Sequence, residues 1–456
     1  MEKLRLVLAG LCALVLLAFS QALAAEPPEK AKIDWQQFKG QSIELFLVKH
    51  PWTEAIEPFL PEFEKLSGIK LNLTTVAEDA YWDKSQLGLA STKPPFDVFF
   101  LSMGLNGYTA YQNKWLAKLN DAFDNPKLTD KAWYQYEDFS PAAASAFHLP
   151  DPSSPDMYGV PMSTEVYMFF YRKDLFQENN IDVASLTTMD QWLEALRKLK
   201  LPEGTYPASL RGGGLGILDE LNAVVANSWG NAPYPKDRFV YFDDKWAPRF
   251  TDPKVKDGFA DWAELMKMSA PGVTSFDWYE ATTQFAQGKA ATFGPDASLF
   301  ASIFLDPKQS TVADKVGFKA LPAGSADGAR TAMWSWGLSI PERSEKKDAA
   351  WLFVQWATSP YIAARVGEKT MASARQSTWA DPDYQKKLPE GFGAAVGDSL
   401  KVAQPSIMYL ASADQVVQGM LDALHAIYQG TPVDDAMQEL QDKATEVVTQ
   451  AGLYKP

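Results

Sequence analysis

The chain has 456 residues, a formal charge of -14 and 46 % apolar residues, enough to bury a large core. An acidic chain with no basic cluster argues against nucleic acid or an anionic membrane surface as a partner. The three histidines (His50, His148, His425) are far apart, the one cysteine is Cys12, and no GxSxG or HExxH motif occurs, so nothing local supports a metal centre, a cofactor or a catalytic triad.

Lys3 and Arg5 precede an apolar run over residues 6–19, too short to span a bilayer comfortably, and Ala22-Leu23-Ala24 offers a small-x-small cleavage site. That pattern predicts a signal peptide over residues 1–24 and export to the periplasm. Cys12 lies inside the apolar run rather than closing it, so lipoprotein processing is not expected. The mature chain then has no cysteine and no disulfide. Its length, roughly 430 residues, suggests two or three domains.

Residues 43–48 read as a strand broken at Lys49-His50-Pro51-Trp52. Thr53 opens a helix with Ile56, Phe59, Leu60, Phe63 and Leu66 on one face, ended by Gly68. Residues 69–76 alternate as a second strand, residues 81–89 form a short helix, and Asp97 leads a buried third strand. Strand, helix, strand, helix, strand predicts a parallel sheet, in which ligands sit beyond the carboxyl ends of strands. That rule points to two loops, residues 49–52 and 102–108.

Residues 166–171 are an unbroken apolar and aromatic run, suited to a strand buried on both faces. Thr188 with Gln191 forms a capping box ahead of Trp192, Leu193, Leu196 and Leu199 at helical spacing. Arg211-Gly212-Gly213-Gly214 lacks the Lys-Ser/Thr pair of a phosphate loop and reads as a plain loop. A helix falls within residues 246–268, and a strand ends at Gly294-Pro295-Asp296. Trp334 and Trp336 lie two apart on another strand and so share a face. Ser344 is placed to cap the helix bearing Leu352, Phe353 and Trp356, and residues 416–428 and 432–448 close the chain as helices.

Tyr158-Gly-Val-Pro161, the strand opening at Glu165, Tyr171-Arg-Lys-Asp-Leu-Phe176 and Thr188-Met-Asp-Gln-Trp192 follow in order. Together with Phe63 to Lys70, Phe96-Asp97-Val98-Phe99, Phe285 to Ala291, Gly337 to Pro341 and Ala372 to Arg375, they resemble the extracellular solute-binding proteins of sugar ABC transporters, the maltose-binding-protein-like family. The resemblance covers most of the mature chain. It departs from the family in five places: Arg172 replaces Asn, residues 101–106 lack an aromatic-Asp-Arg set, Asp296 aligns with a stacking tryptophan, Trp334 and Trp336 stand at usually small positions, and Ala372 replaces Pro.

The resemblance implies a two-lobed, type II-like α/β periplasmic binding protein fold, each lobe a mixed or parallel sheet flanked by helices, with hinge crossings. One lobe would take residues 31–163 and 335–372, the other residues 164–334 and 373–456. It implies a carbohydrate or polyol ligand between the lobes, an inner-membrane ABC permease as partner, a monomer, and no enzymatic activity. Sugar rings need aromatic faces for their C–H patches and planar polar groups for their hydroxyls. Candidate ligand residues are therefore His50, Trp52, Glu165, Asn222, Tyr279, Asp296, Trp334, Trp336, Arg375 and Tyr409. Arg375 reads equally as a hinge ion pair. Two alternatives stay open: an anionic ligand, such as a glycerophosphodiester or sulfonated sugar read by Arg211, Arg375 or His50, and a periplasmic glycosidase.

Overall fold

The computed structural model describes residues 25–235, 237–405 and 407–455, so the leader and Cys12 lie outside the described residues. Nine strands are present among them: β1 (Ser42–Val48), β2 (Lys70–Val76), β3 (Val98–Leu101), β4 (Val160–Arg172), β5 (Tyr206–Ser209), β6 (Ala290–Ala297), β7 (Val316–Ala320), β8 (Thr331–Ser339) and β9 (Ala403–Pro405). The order β2-β1-β3-β8-β4-β6-β5, with β7 on β4 and β9 on β8, makes a curled mixed sheet flanked by helices. β1 is parallel to both β2 and β3, as the alternating pattern predicts.

β4 and β8 tie the two halves of the fold together. The first half of β4 pairs with β8 (Ser163 opposite Trp336, Thr164 opposite Ser335), and its second half pairs with β6 and β7. Twelve of the strand's 13 residues are buried, because helices or neighbouring strands cover both faces, which is why its sequence runs apolar without alternation. Ser373 forms an isolated antiparallel bridge with Ser163 on β4.

Local signals are realised where the chemistry is short-range. The Thr188 side chain accepts from Gln191 N–H and the Gln191 side chain accepts from Thr188 N–H, the reciprocal capping box. The helix it starts (Met189–Lys198) packs Trp192 against Phe169 and Phe176, with ring centroids 4.5 and 5.7 Å apart. Burying an aromatic of this size contributes about 1.5–3 kcal/mol. Gly68 ends the Leu60–Ser67 helix at φ +68°, a conformation that costs glycine little. Ser344 does not cap the next helix: its hydroxyl donates to Asp97 at 2.7 Å, and Lys347–Ala357 starts at Lys346 instead. The buried carboxylate of Asp97, which also accepts from Glu44 N–H, takes the hydroxyl proton, while Ser344 Oγ accepts from Lys346 N–H at 3.1 Å, one residue before the helix.

Candidate functional site

The parallel strands deliver their following residues to one place. His50 comes two residues after β1, Glu78 opens the helix after β2, and Arg211 comes two residues after β5. Glu165 and Tyr167 project from one face of β4, and Trp334 and Trp336 from one face of β8. With Trp278, Leu299 and Phe300 they enclose a chamber of about 20 Å³, room for a single water-sized sphere. Its walls therefore stand in near contact.

His50 is fixed at both ring nitrogens. Nδ1 accepts from Trp52 N–H at 3.1 Å, capping the Pro51–Ile56 helix, which leaves the neutral ring's proton on Nε2. Nε2 lies 3.4 Å from Glu165 Oε1, and Ser163 Oγ donates to the same oxygen at 3.1 Å. Across the chamber, the Trp278 indole N–H donates to Glu78 Oε2 at 3.1 Å. Burial pushes the Glu78 carboxyl up, against the nearby charges of Arg211 and His50 and with that of Glu165.

Arg211 is held by acids on two sides. Its Nη2 and Nε donate to Asp296 at 2.8 and 3.2 Å, and Nη2 lies 2.8 Å from Glu220 Oε1. Burial alone would lower its pKa, but the charges of Asp296 and Glu220 carry it well above the usual range. With Glu78 and Glu165 beside it, four carboxyl groups surround one guanidinium and one histidine. Such a site offers an excess of acceptors.

The aromatic wall is layered. Trp334 meets Trp336 edge-on at 5.8 Å, and Trp336 stacks on Trp82 at 5.4 Å with planes 14° apart. Opposite them, Trp278 lies on Phe300 at 5.5 Å and on Tyr279 at 3.6 Å. The Tyr279 hydroxyl donates to Lys49 O at 3.2 Å at the chamber's outer edge.

Of the residues proposed from sequence, the chamber gathers His50, Glu165, Trp334 and Trp336. Asp296 stands behind it as the partner of Arg211, and Tyr279 sits at its outer edge. The other four lie elsewhere. Trp52 points into the core against Phe100 at 5.7 Å, because the proline after His50 starts a helix immediately. Asn222 is fully buried and accepts from the Tyr241 hydroxyl at 2.5 Å. Tyr409 is buried beside Tyr108, with rings 5.5 Å apart, and burial pushes its phenol up.

Arg375 is fully buried and donates to Thr358 O at 2.9 and 2.8 Å and to Gln135 O, with the Phe139 ring 3.8 Å away. It joins helix ends rather than facing the chamber. Burial lowers its pKa to about 10, although Tyr134 and Asp138 oppose this.

Sequence reasoning missed Glu78, Tyr167, Trp278 and Phe300. The strand-end rule applied to β2 would have reached Glu78, and the two-residue strand period would have taken Glu165 on to Tyr167. Trp278 carries only an indirect signal, the capping box of Asp277 and Glu280 that starts its helix.

Comparison with known proteins places this arrangement in context. The bacterial extracellular solute-binding protein family matches residues 50–363. A mannitol-binding protein of Pseudomonas aeruginosa is 31 % identical over 257 residues, 55 % of this chain. The chain thus spans little more than half, 56 %, of that relative's length. An erythritol/L-threitol-binding protein of Mycolicibacterium smegmatis is 25 % identical over 80 % of this chain and 75 % of its own.

A solved ABC transporter solute-binding protein of Agrobacterium vitis, with bound D-mannitol, superposes with a TM-score of 0.75. It is 26 % identical, covering 90 % of this chain and 99 % of that one. On the family match, which covers more than half of its residues, the chain belongs to the bacterial extracellular solute-binding protein family.

Proposed function

We propose that the chain is the periplasmic substrate-binding component of an ABC importer, capturing an open-chain polyol or a small sugar between its lobes. The observation that carries this reading is the chamber's composition: indole walls with the Glu78 and Glu165 carboxyl groups against one histidine and one guanidinium, the last held from behind by Asp296 and Glu220. Carboxylates accept from hydroxyl donors, and indole faces take the C–H edges between them. Acid excess also disfavours the anionic alternative, because Arg211 is already neutralised by Asp296 and Glu220. The polyols named for its relatives support the open-chain choice.

The lobes would divide at residues 163/164 and 334/335, within the stretch where β4 and β8 pair with each other, with residues 372/373 as the third crossing. Both lobes then supply chamber residues, as solute-driven closure requires. Closure presents the loaded form to an inner-membrane permease, after removal of residues 1–24. Catalysis is not part of this reading: the carboxyl groups are engaged with Arg211, Trp278, His50 and Ser163 rather than set as an acid and a nucleophile.

Thermal unfolding of the chain from Ala25 onward tests it against tetritols, pentitols, hexitols, pyranoses, amino acids and glycerophosphodiesters. A polyol at a hundred times its Kd adds about 2.7 kcal/mol and raises the midpoint. A shift with anions alone contradicts the reading.

A further inference from the structure

Gly104 lies in the single π-helical turn Met103–Gly107 that follows β3, and the Trp334 ring rests directly on it. A Cβ built on Gly104 would fall 2.5 Å from Trp334 Cη2 and closer still to Cζ3, distances that real side chains do not reach. One of the two must move. The turn is tight within itself: a Cβ on Gly107 would meet Ser102 O and Met103 Sδ at 2.6 Å, and Gly107 N–H donates to Ser102 O at 3.0 Å. Sideways motion of the ring is blocked as well, because Trp334 abuts Trp336, which is stacked on Trp82. The ring's open side is the chamber that it lines, whose volume is about 20 Å³.

We infer that Gly104 is a specificity-determining positioning residue: by lacking a side chain it recesses Trp334 and so sets the depth available to the solute. The inference rests on the proposed solute site. It also joins two oddities of the sequence, the glycine-bearing loop after β3 and the tryptophan of β8, into one device. The glycine belongs to the loop because the tryptophan needs the space. A shallower chamber penalises thick solutes first, so pyranose rings lose more affinity than slimmer open-chain polyols.

The test compares Gly104→Ala, Trp334→Phe and the double variant by titration calorimetry with D-mannitol and D-glucose, and by near-ultraviolet circular dichroism. Phenylalanine lacks the outer benzo atoms that meet the new Cβ. Gly104→Ala is expected to weaken D-mannitol binding about tenfold or more and to change the indole spectrum. Any D-glucose binding is expected to fall further. In the Trp334→Phe background the same alanine should leave both affinity and spectrum unchanged.

Wild-type affinity in Gly104→Ala, or an equal loss in both backgrounds, overturns the inference. If the wild-type protein binds no polyol or sugar, the proposed function falls instead. The spectral comparison then still decides whether Gly104 places the ring.

Discussion

Arg211→Met is expected to abolish solute binding and to lower the unfolding free energy by about 3–5 kcal/mol, the cost of leaving buried charges without their partner. Asp296 and Glu220 are both fully buried and both face this one guanidinium. Methionine matches much of the arginine stem but removes every donor. Urea denaturation followed by tryptophan fluorescence measures the loss, and calorimetry measures binding. Adding Asp296→Asn and Glu220→Gln to Arg211→Met should recover much of the stability, because no unpaired charge remains, while binding stays lost. A variant that keeps both stability and affinity would show that the acids are satisfied without Arg211.

Arg375→Met should separate the two roles. The expected loss of stability is about 2–4 kcal/mol, since Gln135 O and Thr358 O lose their donor inside the protein. Affinity for the solute should stay within about twofold, as an independent site implies. The same denaturation and calorimetry decide it. A large drop in affinity at unchanged stability would return Arg375 to the list of ligand contacts.

These two arginines mark how far the sequence can be read. Each stands at a crossing or a strand end, and each looked equally able to hold an anion. What separates them is which acids and carbonyls surround them, and some of these lie far along the chain, Asp296 85 positions from Arg211 and Gln135 240 from Arg375. Short-range chemistry was legible: the Thr188–Gln191 box, the glycine cap at Gly68 and the strand-end position of His50 are all realised.

The tryptophans of β8 were legible too, because a two-residue period puts Trp334 and Trp336 on one face whatever the strand packs against. Glu78 was within reach of the strand-end rule, but its partner was not, since Trp278 lies 200 residues further along the chain. Trp52 shows the opposite error. It follows the same strand as His50, but Pro51 starts a helix at once and turns the indole into the core.

On the proposed function, the chamber lined from β4 and β8 binds a polyhydroxyl solute through its carboxyl groups and indoles. Titration of D-mannitol into wild-type protein and into Glu165→Gln tests it most directly. Glutamine keeps the shape and a carbonyl acceptor but loses the charge, and a hydrogen bond to a charged group contributes about 1.5–3 kcal/mol. Saturable one-to-one binding is expected for the wild type, and affinity weaker by about tenfold or more for the variant. Binding of equal strength in both proteins would place the solute elsewhere and contradict the account.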